Sequence, residues 1–243
     1  MNLYNRPAVL AGIFLVIGAS LSSCYRDSFG FEGTGPATTE TRSPGNFNGV
    51  DLSIDANVIL HNDSFCHVTV QAQSNIMNVL KTTVHGSTLS IGFSRNVCDH
   101  SPITIDLYAP QYVLAKLSGS GTISSSNALL NGNFTANISG SGSIDLYSMQ
   151  ANAVSSTISG SGNITLSGTA QSIETHTSGS GDMHLYNLPA QTGDVTISGS
   201  GNVEINISQQ LDVDISGSGD VYYKGTPAVN ADISGSGHLH HVN

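Results

Sequence analysis

Residues 195–205 read Val-Thr-Ile-Ser-Gly-Ser-Gly-Asn-Val-Glu-Ile, and this stretch decides the fold. Apolar and polar side chains alternate on both sides of the Ser-Gly-Ser-Gly unit, which is the pattern of two β-strands that meet at a corner. The unit recurs along the chain at intervals of 18 to 21 residues, beginning at Ser118, Ser139, Ser159, Ser178, Ser198, Ser216 and Ser234. Such a period is typical of a solenoid whose repeats stack on a shared core.

Alignment of the copies places apolar side chains in two columns. The position before the motif holds Leu117, Ile138, Ile158, Thr177, Ile197, Ile215 and Ile233, and the second position after it holds Ile123, Ile144, Ile164, Met183, Val203, Val221 and Leu239. The columns predict an all-β fold, a single-stranded parallel β-helix with about 18–21 residues per rung and rungs about 4.8 Å apart. Glycine at the corner would permit either a positive φ or a close approach of neighbouring rungs.

Residues 47–117 lack the motif but contain strand-like segments at Val50–Asp55, Val58–His61, Val68–Ala72, Thr88–Phe93 and Ile103–Tyr108. A helix is expected around residues 75–84. We therefore expect residues 47–117 to form a β-rich N-terminal extension or cap of the solenoid, because the end rung of a rod has unpaired edges that need covering. Residues 118–243 are then the Ser-Gly-Ser-Gly repeat β-helix.

Residues 1–24 have the features of a bacterial lipoprotein signal peptide. Arg6 precedes an apolar run, Ala8 to Gly18, that is too short to span a bilayer. The run is followed by Leu-Ser-Ser-Cys at 21–24, which resembles a lipobox, the cleavage site whose cysteine becomes diacylated. The sequence therefore predicts export and lipid attachment at Cys24, with the diacylglyceryl anchor in the cell envelope, at the outer membrane. A secretory signal that is cleaved elsewhere is the alternative.

The segment after the predicted anchor, residues 25–46, is rich in Gly, Thr, Ser and Pro and is predicted to be a flexible tether. Export also bears on the two remaining cysteines, Cys66 and Cys98. An even pair in an oxidising compartment predicts a disulfide between them. Separate burial of the two thiols is the alternative, because the sequence does not show whether their Cα atoms come within bonding range.

The charge balance excludes one class of partner. Seven Lys and Arg residues face seventeen Asp and Glu residues, for a formal net charge of −10. A chain so poor in bases cannot neutralise a phosphate backbone, and nucleic-acid binding is therefore not expected. No dinucleotide, Walker or zinc-protease motif is present, and we predict no cofactor.

Acidic side chains recur at outward positions of the repeats. Glu174, Asp194 and Asp212 share one row and Asp214 and Asp232 share the next, so these residues form a possible binding face. A solvated acidic face is the simpler interpretation. Paired carboxylates also suit a polysaccharide-modifying enzyme, but no Trp and few bases accompany them, and we predict a protein that is not an enzyme.

Two patterns resemble metal sites but are interpreted as structural features. The position after the motif holds Thr122, Ser143, Asn163, Asp182, Asn202, Asp220 and His238, a mixture that indicates a hydrogen-bonding ladder rather than a calcium site. His238 and His240 share a face, but with His241 they are interpreted as a polar closing rung. No metal site is predicted.

Two parts of the sequence resemble the bacterial family named "putative auto-transporter adhesin, head GIN domain". They are Ile-Asp-Leu-Tyr-Ala-Pro at 105–110 and the recurrent Ser-Gly-Ser-Gly-[Asp/Asn]-[Ile/Val/Met], as at 178–183 and 216–221. The resemblance covers roughly residues 46–240 and implies an exported, often lipid-anchored β-helical protein. We therefore expect a cell-envelope adhesin or surface-binding module with a glycan or protein ligand. A polysaccharide-modifying enzyme and a periplasmic structural or regulatory protein are the alternatives.

Overall fold

The structure is a computed structural model, which describes residues 30–125 and 132–243. The predicted signal peptide, residues 1–24, and the predicted lipid-attachment residue Cys24 lie outside the described residues. From Phe31 onward the described residues form β-strands joined by short turns, with a single helical segment among them.

The elements before the repeats alternate in direction more than the repeats do. They are β1 (Phe31–Glu32), β2 (Ala37–Arg42), β3 (Gly49–Leu52), β4 (Asn57–Asn62), β5 (His67–Gln73), α1 (Ser74–Val79), β6 (Leu80–His85), β7 (Thr88–Phe93), β8 (Val97–Asp99) and β9 (Thr104–Ala109).

The elements of the repeats are all parallel to their neighbours in adjacent rungs. They are β10 (Leu114–Leu117), β11 (Thr122–Ser125), β12 (Asn133–Ile138), β13 (Ser143–Ile158), β14 (Asn163–Thr177), β15 (Met183–Ile197), β16 (Val203–Ile215), β17 (Val221–Lys224), β18 (Ala228–Ile233) and β19 (Leu239–His241).

Two sheets run side by side along the rod. Sheet I holds the strands that precede each corner, in the order β6, β7, β3, β10, β12, the second halves of β13 to β16, and β18. Sheet II holds the strands that follow each corner, in the order β2, β5, β9, β4, β11, the first halves of β13 to β16, β17 and β19. The predicted parallel β-helix is therefore confirmed.

The apolar columns form one core between the two sheets. Ile138, Ile158, Ile197 and Ile215 are aligned in register on consecutive or nearby rungs, and each is at most 1% exposed. Thr177 occupies the same column and is also buried. Burial of each such side chain contributes about 1.5–3 kcal/mol, so the columns predicted from the sequence are the main source of stability.

The Ser-Gly-Ser-Gly corners stack directly on one another. From the second copy of the motif to the last, a Cβ on either glycine would overlap the carbonyl oxygen of the equivalent glycine one rung back. None of these glycines has a positive φ. Of the two reasons for glycine at the corner, close approach of the backbones is therefore the correct one.

The first corner of the solenoid has no glycine. Ile54 and Ala56 occupy it, between β3 and β4, and their backbone atoms lie against Gly119 and Gly121 of the next rung. In both strand pairs that flank this corner, the first rung is continued by β7 and β9 of the N-terminal region. The region thus extends the solenoid, as expected for residues 47–117.

Antiparallel strands cover the N-terminal end of the rod. β5 pairs antiparallel with both β2 and β9, and β6 pairs antiparallel with β7. Between β5 and β6, α1 buries Ile76 and Met77 in the core. The expected helix is thus present but shorter, because residues 80–85 extend as β6. Neither α1 nor any other helix in the described ranges is long and apolar enough to cross a membrane.

The prediction of a flexible tether over residues 25–46 is wrong for residues 31–42, where the structure has β1 and β2. All six residues of β2 pair with β5, and the Arg42 guanidinium donates hydrogen bonds to the carbonyl oxygens of Leu80 and Met77. The prediction required apolar burial for order. An edge strand rich in β-branched Thr instead gains its order from backbone pairing.

The prediction of a disulfide between Cys66 and Cys98 is also wrong, because both cysteines are free thiols. Cys66 directly precedes β5 and contacts the backbone of Phe47. Cys98 lies in β8, near the opposite end of β5, where Gln73 accepts a hydrogen bond from Ser101. A seven-residue strand spans about 22 Å, and the thiols are therefore too far apart to bond.

Candidate ligand-binding surface

A shallow groove crosses the outer surface of sheet I at the start of its strands. It extends over five rungs, β12 to β16, which is about 19 Å along the rod. Its walls are small polar and acidic side chains of two outward columns, and buried apolar residues form the floor. The residues that line it are Asn133, Phe134, Thr135, Ala153, Val154, Ser155, Ser172, Ile173, Glu174, Thr192, Gly193, Asp194, Gln210 and Asp212. We call this surface the sheet I groove.

Strand register places the first predicted acidic row inside the sheet I groove. Glu174 pairs with Asp194, and Asp194 pairs with Asp212, on three consecutive rungs. Glu174 and Asp194 are exposed, and Asp212 is half-buried. Directly opposed like charges repel each other in a sheet, so the row concentrates negative potential at one end of the groove.

The three carboxylates differ in their surroundings. Two side-chain amides donate hydrogen bonds to Asp212, Gln210 at 2.7 Å and Asn230 at 3.2 Å. Glu174 and Asp194 extend from the sheet toward solvent. These two carboxylates are therefore available to a cationic group of a ligand.

The second predicted acidic row lies on the same sheet, two residues further along the strands. Asp214 and Asp232 are register partners on neighbouring rungs, and both are exposed. They lie beyond the residues that line the groove. The rows are therefore adjacent, but the structure groups only Glu174, Asp194 and Asp212 within a concave surface.

A ladder of Asn and Asp side chains follows the corners on the sheet II side. The side-chain oxygens of Asn163, Asp182, Asn202 and Asp220 each accept a hydrogen bond from the backbone N–H of the equivalent residue one rung on, at 2.7 to 3.1 Å. The predicted hydrogen-bonding ladder is confirmed. It satisfies backbone donors at a corner where the strands do not.

The last member of this ladder has partners that the sequence did not indicate. Asp220 accepts hydrogen bonds from the His238 backbone N–H and the Tyr222 hydroxyl, and its carboxylate lies close to the imidazoles of His238 and His240. Partial desolvation raises the pKa of the Asp220 carboxyl. The hydrogen bonds and the nearby imidazoles outweigh that effect, and the pKa lies below its ordinary value.

The sequence identified the acidic rows but not this cluster. The spacing of 18 residues between Asp220 and His238 was visible as one step of the repeat. That the carboxylate turns one oxygen toward the rings depends on side-chain geometry, which the repeat does not encode.

Comparison with protein families gives one match over most of the chain. Residues 46–227 match the family model described as "Putative auto-transporter adhesin, head GIN domain". A search of curated proteins gives no significant match.

Several solved structures share the fold. A structure described as a putative adhesin from Bacteroides fragilis NCTC 9343 has a TM-score of 0.83 and 22% identity, covering 88% of this chain and 100% of its own. One described as a putative lipid binding protein from Parabacteroides distasonis ATCC 8503 has a TM-score of 0.71 and 22% identity, covering 88% and 99%. One described as a putative adhesin from Parabacteroides merdae ATCC 43184 has a TM-score of 0.68 and 21% identity, covering 87% and 98%. At these identities the likeness shows the fold alone.

Proposed function

Because the chain belongs to the "putative auto-transporter adhesin, head GIN domain" family, we propose that it is an exported surface-binding protein whose sheet I groove holds the ligand. The observation that carries the proposal is the groove itself, which aligns Glu174, Asp194 and Asp212 over a floor of buried apolar residues. A concave surface with a few convergent polar groups is the usual form of a binding site.

The charge of the groove favours a cationic ligand. Glu174 and Asp194 carry negative charge at an exposed position, and complementary charge on a partner increases the rate and specificity of association. A basic, extended segment of an envelope or matrix protein has both the charge and the length to lie across five rungs. A glycan is the second ligand class, and it would use the Asn, Ser and Thr side chains of the same groove.

Anchoring at Cys24 forms part of the proposal. The apolar run and the Leu-Ser-Ser-Cys sequence at 21–24 support a diacylglyceryl anchor in the outer membrane. Labelling of growing cells with a radioactive fatty acid tests it: the wild-type protein should carry the label and a Cys24→Ala variant should not. Labelling of both proteins would show that the lipid, if present, is attached elsewhere.

A binding screen tests the groove. The purified protein is applied to arrays of extracellular matrix proteins, basic peptides and envelope glycans. A triple variant, Glu174→Gln with Asp194→Asn and Asp212→Asn, is compared with the wild type and with Glu204→Gln, which changes an acidic residue of sheet II. We expect the triple variant alone to lose binding. Equal binding by all three proteins would refute the groove as the site.

The same proteins test the enzymatic alternative. Each glycan that binds is analysed for cleavage products after incubation with wild-type protein. Release of products by the wild type but not by the triple variant would show that the carboxylates catalyse a reaction, and the protein would then be an enzyme rather than an adhesin.

A further inference from the structure

The last two rungs bring three potential metal ligands together. Asp220 directly precedes β17, and His238 and His240 lie one rung further along the chain, next to and within β19. The pairing of Tyr222 with His240 sets this register. The three side chains are therefore held on one side of sheet II by strands rather than by a loose loop.

The distances suit a first-row divalent cation. Asp220 Oδ1 lies 3.5 Å from His238 Nδ1, and Asp220 Oδ2 lies 3.9 Å from His240 Nε2. The three ligand atoms lie within 4.8 Å of one another. Ligands about 2.1 Å from a tetrahedral zinc ion are about 3.4 Å apart, so small side-chain rotations would complete three of the four positions.

Neighbouring groups hold the ligands in place. The Tyr222 ring stacks on His240 with centroids 4.8 Å apart, and the Tyr222 hydroxyl donates a hydrogen bond to Asp220. The His238 backbone N–H fixes the other carboxylate oxygen at 2.7 Å. Groups that orient ligands in this way strengthen metal sites.

The surrounding charge is favourable to a cation. Glu204 lies on the neighbouring rung, opposite Tyr222. Lys224, the basic residue nearest in sequence, places its ammonium over the ring of Tyr186, 4.5 Å from the centroid and away from the cluster. The cluster thus combines two imidazoles and a carboxylate with an acidic neighbour, a donor set that suits zinc and similar ions.

We propose that Asp220, His238 and His240 form a binding site for a divalent transition-metal ion of the zinc type, with water completing the coordination. An ion there would bridge two rungs, since Asp220 belongs to one and both histidines belong to the next. The site is separate from the sheet I groove and does not depend on the proposed adhesive function.

Titration with zinc ion alone tests the site. Metal-free full-length protein is titrated by calorimetry, and the cobalt complex is examined by visible absorption. We expect one ion per chain and cobalt bands of a four- or five-coordinate site. His240→Ala and Asp220→Asn should weaken the affinity by about 10-fold or more. His184→Ala, which removes an exposed histidine of the same row, should bind like the wild type.

Two further measurements make the result decisive. Circular dichroism of each metal-free variant establishes that the β-fold is intact, since all substituted side chains are at least partly exposed. A Cys66→Ser, Cys98→Ser variant identifies zinc held by thiols. Unchanged binding in His240→Ala and Asp220→Asn, or loss of binding in the cysteine variant alone, would overturn the proposal.

Discussion

Gly179 lies directly against the carbonyl group of Gly160, so that a Cβ at position 179 would overlap the Gly160 oxygen. The same relation links equivalent glycines from rung to rung. Backbone hydrogen bonds join the corners as well, for example from the N–H of Ser180 to the oxygen of Gly160 at 3.0 Å. The corner thus leaves no room for a side chain on the glycine, whereas the serines next to it face solvent.

Gly179→Ala is expected to destabilise the protein strongly. The added methyl meets backbone rather than a flexible side chain, and relief requires two rungs to separate, at a cost of about 2–4 kcal/mol. Urea denaturation followed by circular dichroism measures the free energy of unfolding. Ser180→Ala is the matched control, expected to change it by less than about 0.5 kcal/mol. Equal stability of the two variants would contradict the close packing of the corners.

Tyr112 predicts sensitivity to alkali. Its ring is buried, its hydroxyl donates hydrogen bonds to the oxygens of Leu107 and His61, and burial raises its pKa well above the ordinary value. The neutral side chain therefore stabilises the fold below the ordinary pKa of about 10, and this contribution declines as the pH rises above that value.

Tyr112→Phe separates the two contributions of this side chain. At neutral pH the variant should be less stable by about 1–3 kcal/mol, because buried carbonyl oxygens lose their donor. Above pH 10 its stability should fall less steeply than that of the wild type. Thermal unfolding between pH 7 and 11 measures both effects, and Tyr147→Phe, at an exposed position, is the control. Parallel curves for Tyr112→Phe and the wild type would rule out ionisation of Tyr112 as a cause of alkaline unfolding.

Asp194→Asn should stabilise the fold at low ionic strength. The variant removes a carboxylate that lies between those of Glu174 and Asp212 in adjacent rungs, and relief of such repulsion contributes about 0.2–1 kcal/mol. The gain should vanish in about 1 M salt, where the screening length is about 3 Å. Asp145→Asn is the control, because Ser124 and Thr165 are its neighbours in register. A gain that persists in high salt would show that repulsion is not its source.

Arg42→Ala should release β2 from the body of the protein. The Arg42 guanidinium joins the end of β2 to the carbonyl oxygens of Met77 and Leu80, and hydrogen bonds from a charged group contribute about 1.5–3 kcal/mol. Hydrogen exchange of the amides of residues 37–42 should become faster, while exchange in β14 and β15 stays unchanged. Lys81→Ala, at an exposed position, is the control. Uniform exchange rates in wild type and variant would mean that backbone pairing alone holds β2.

The free thiols predict insensitivity to reducing agents. Because Cys66 and Cys98 lie near opposite ends of β5, dithiothreitol should leave the thermal midpoint of the exported protein unchanged. Mass spectrometry after alkylation without reduction should find both cysteines modified in the unfolded chain. A lower midpoint in reductant, together with an unmodified pair, would show that the disulfide forms after all.

The repeat could be read from the sequence because both of its determinants are local. Alternation of apolar and polar residues around the corner fixes which side chains are buried, and the glycines fix where the chain turns. The columns of Ile138, Ile158 and Ile197 follow from that pattern, and so do the register neighbours of Asp194. Each step of the inference used residues fewer than about 20 positions apart.

The failures involve contacts between distant parts of the chain. β2 is ordered by pairing with β5, some 30 residues away, and the separation of Cys66 from Cys98 depends on the antiparallel course of β5. The cluster at Asp220 failed for another reason, since its column and that of the histidines were assigned correctly to ladders. The convergence of their ligand atoms depends on rotamers, which a repeat pattern does not specify.

The direction of the hydrogen bonds between rungs determines how the rod responds to mechanical force. These bonds run along the rod axis, so tension along the axis loads the rungs in series and the weakest one yields first. Tension parallel to the strands loads several rungs at once in shear. A partner that spans β12 to β16 and pulls along the strands would therefore act on the most resistant direction of the molecule.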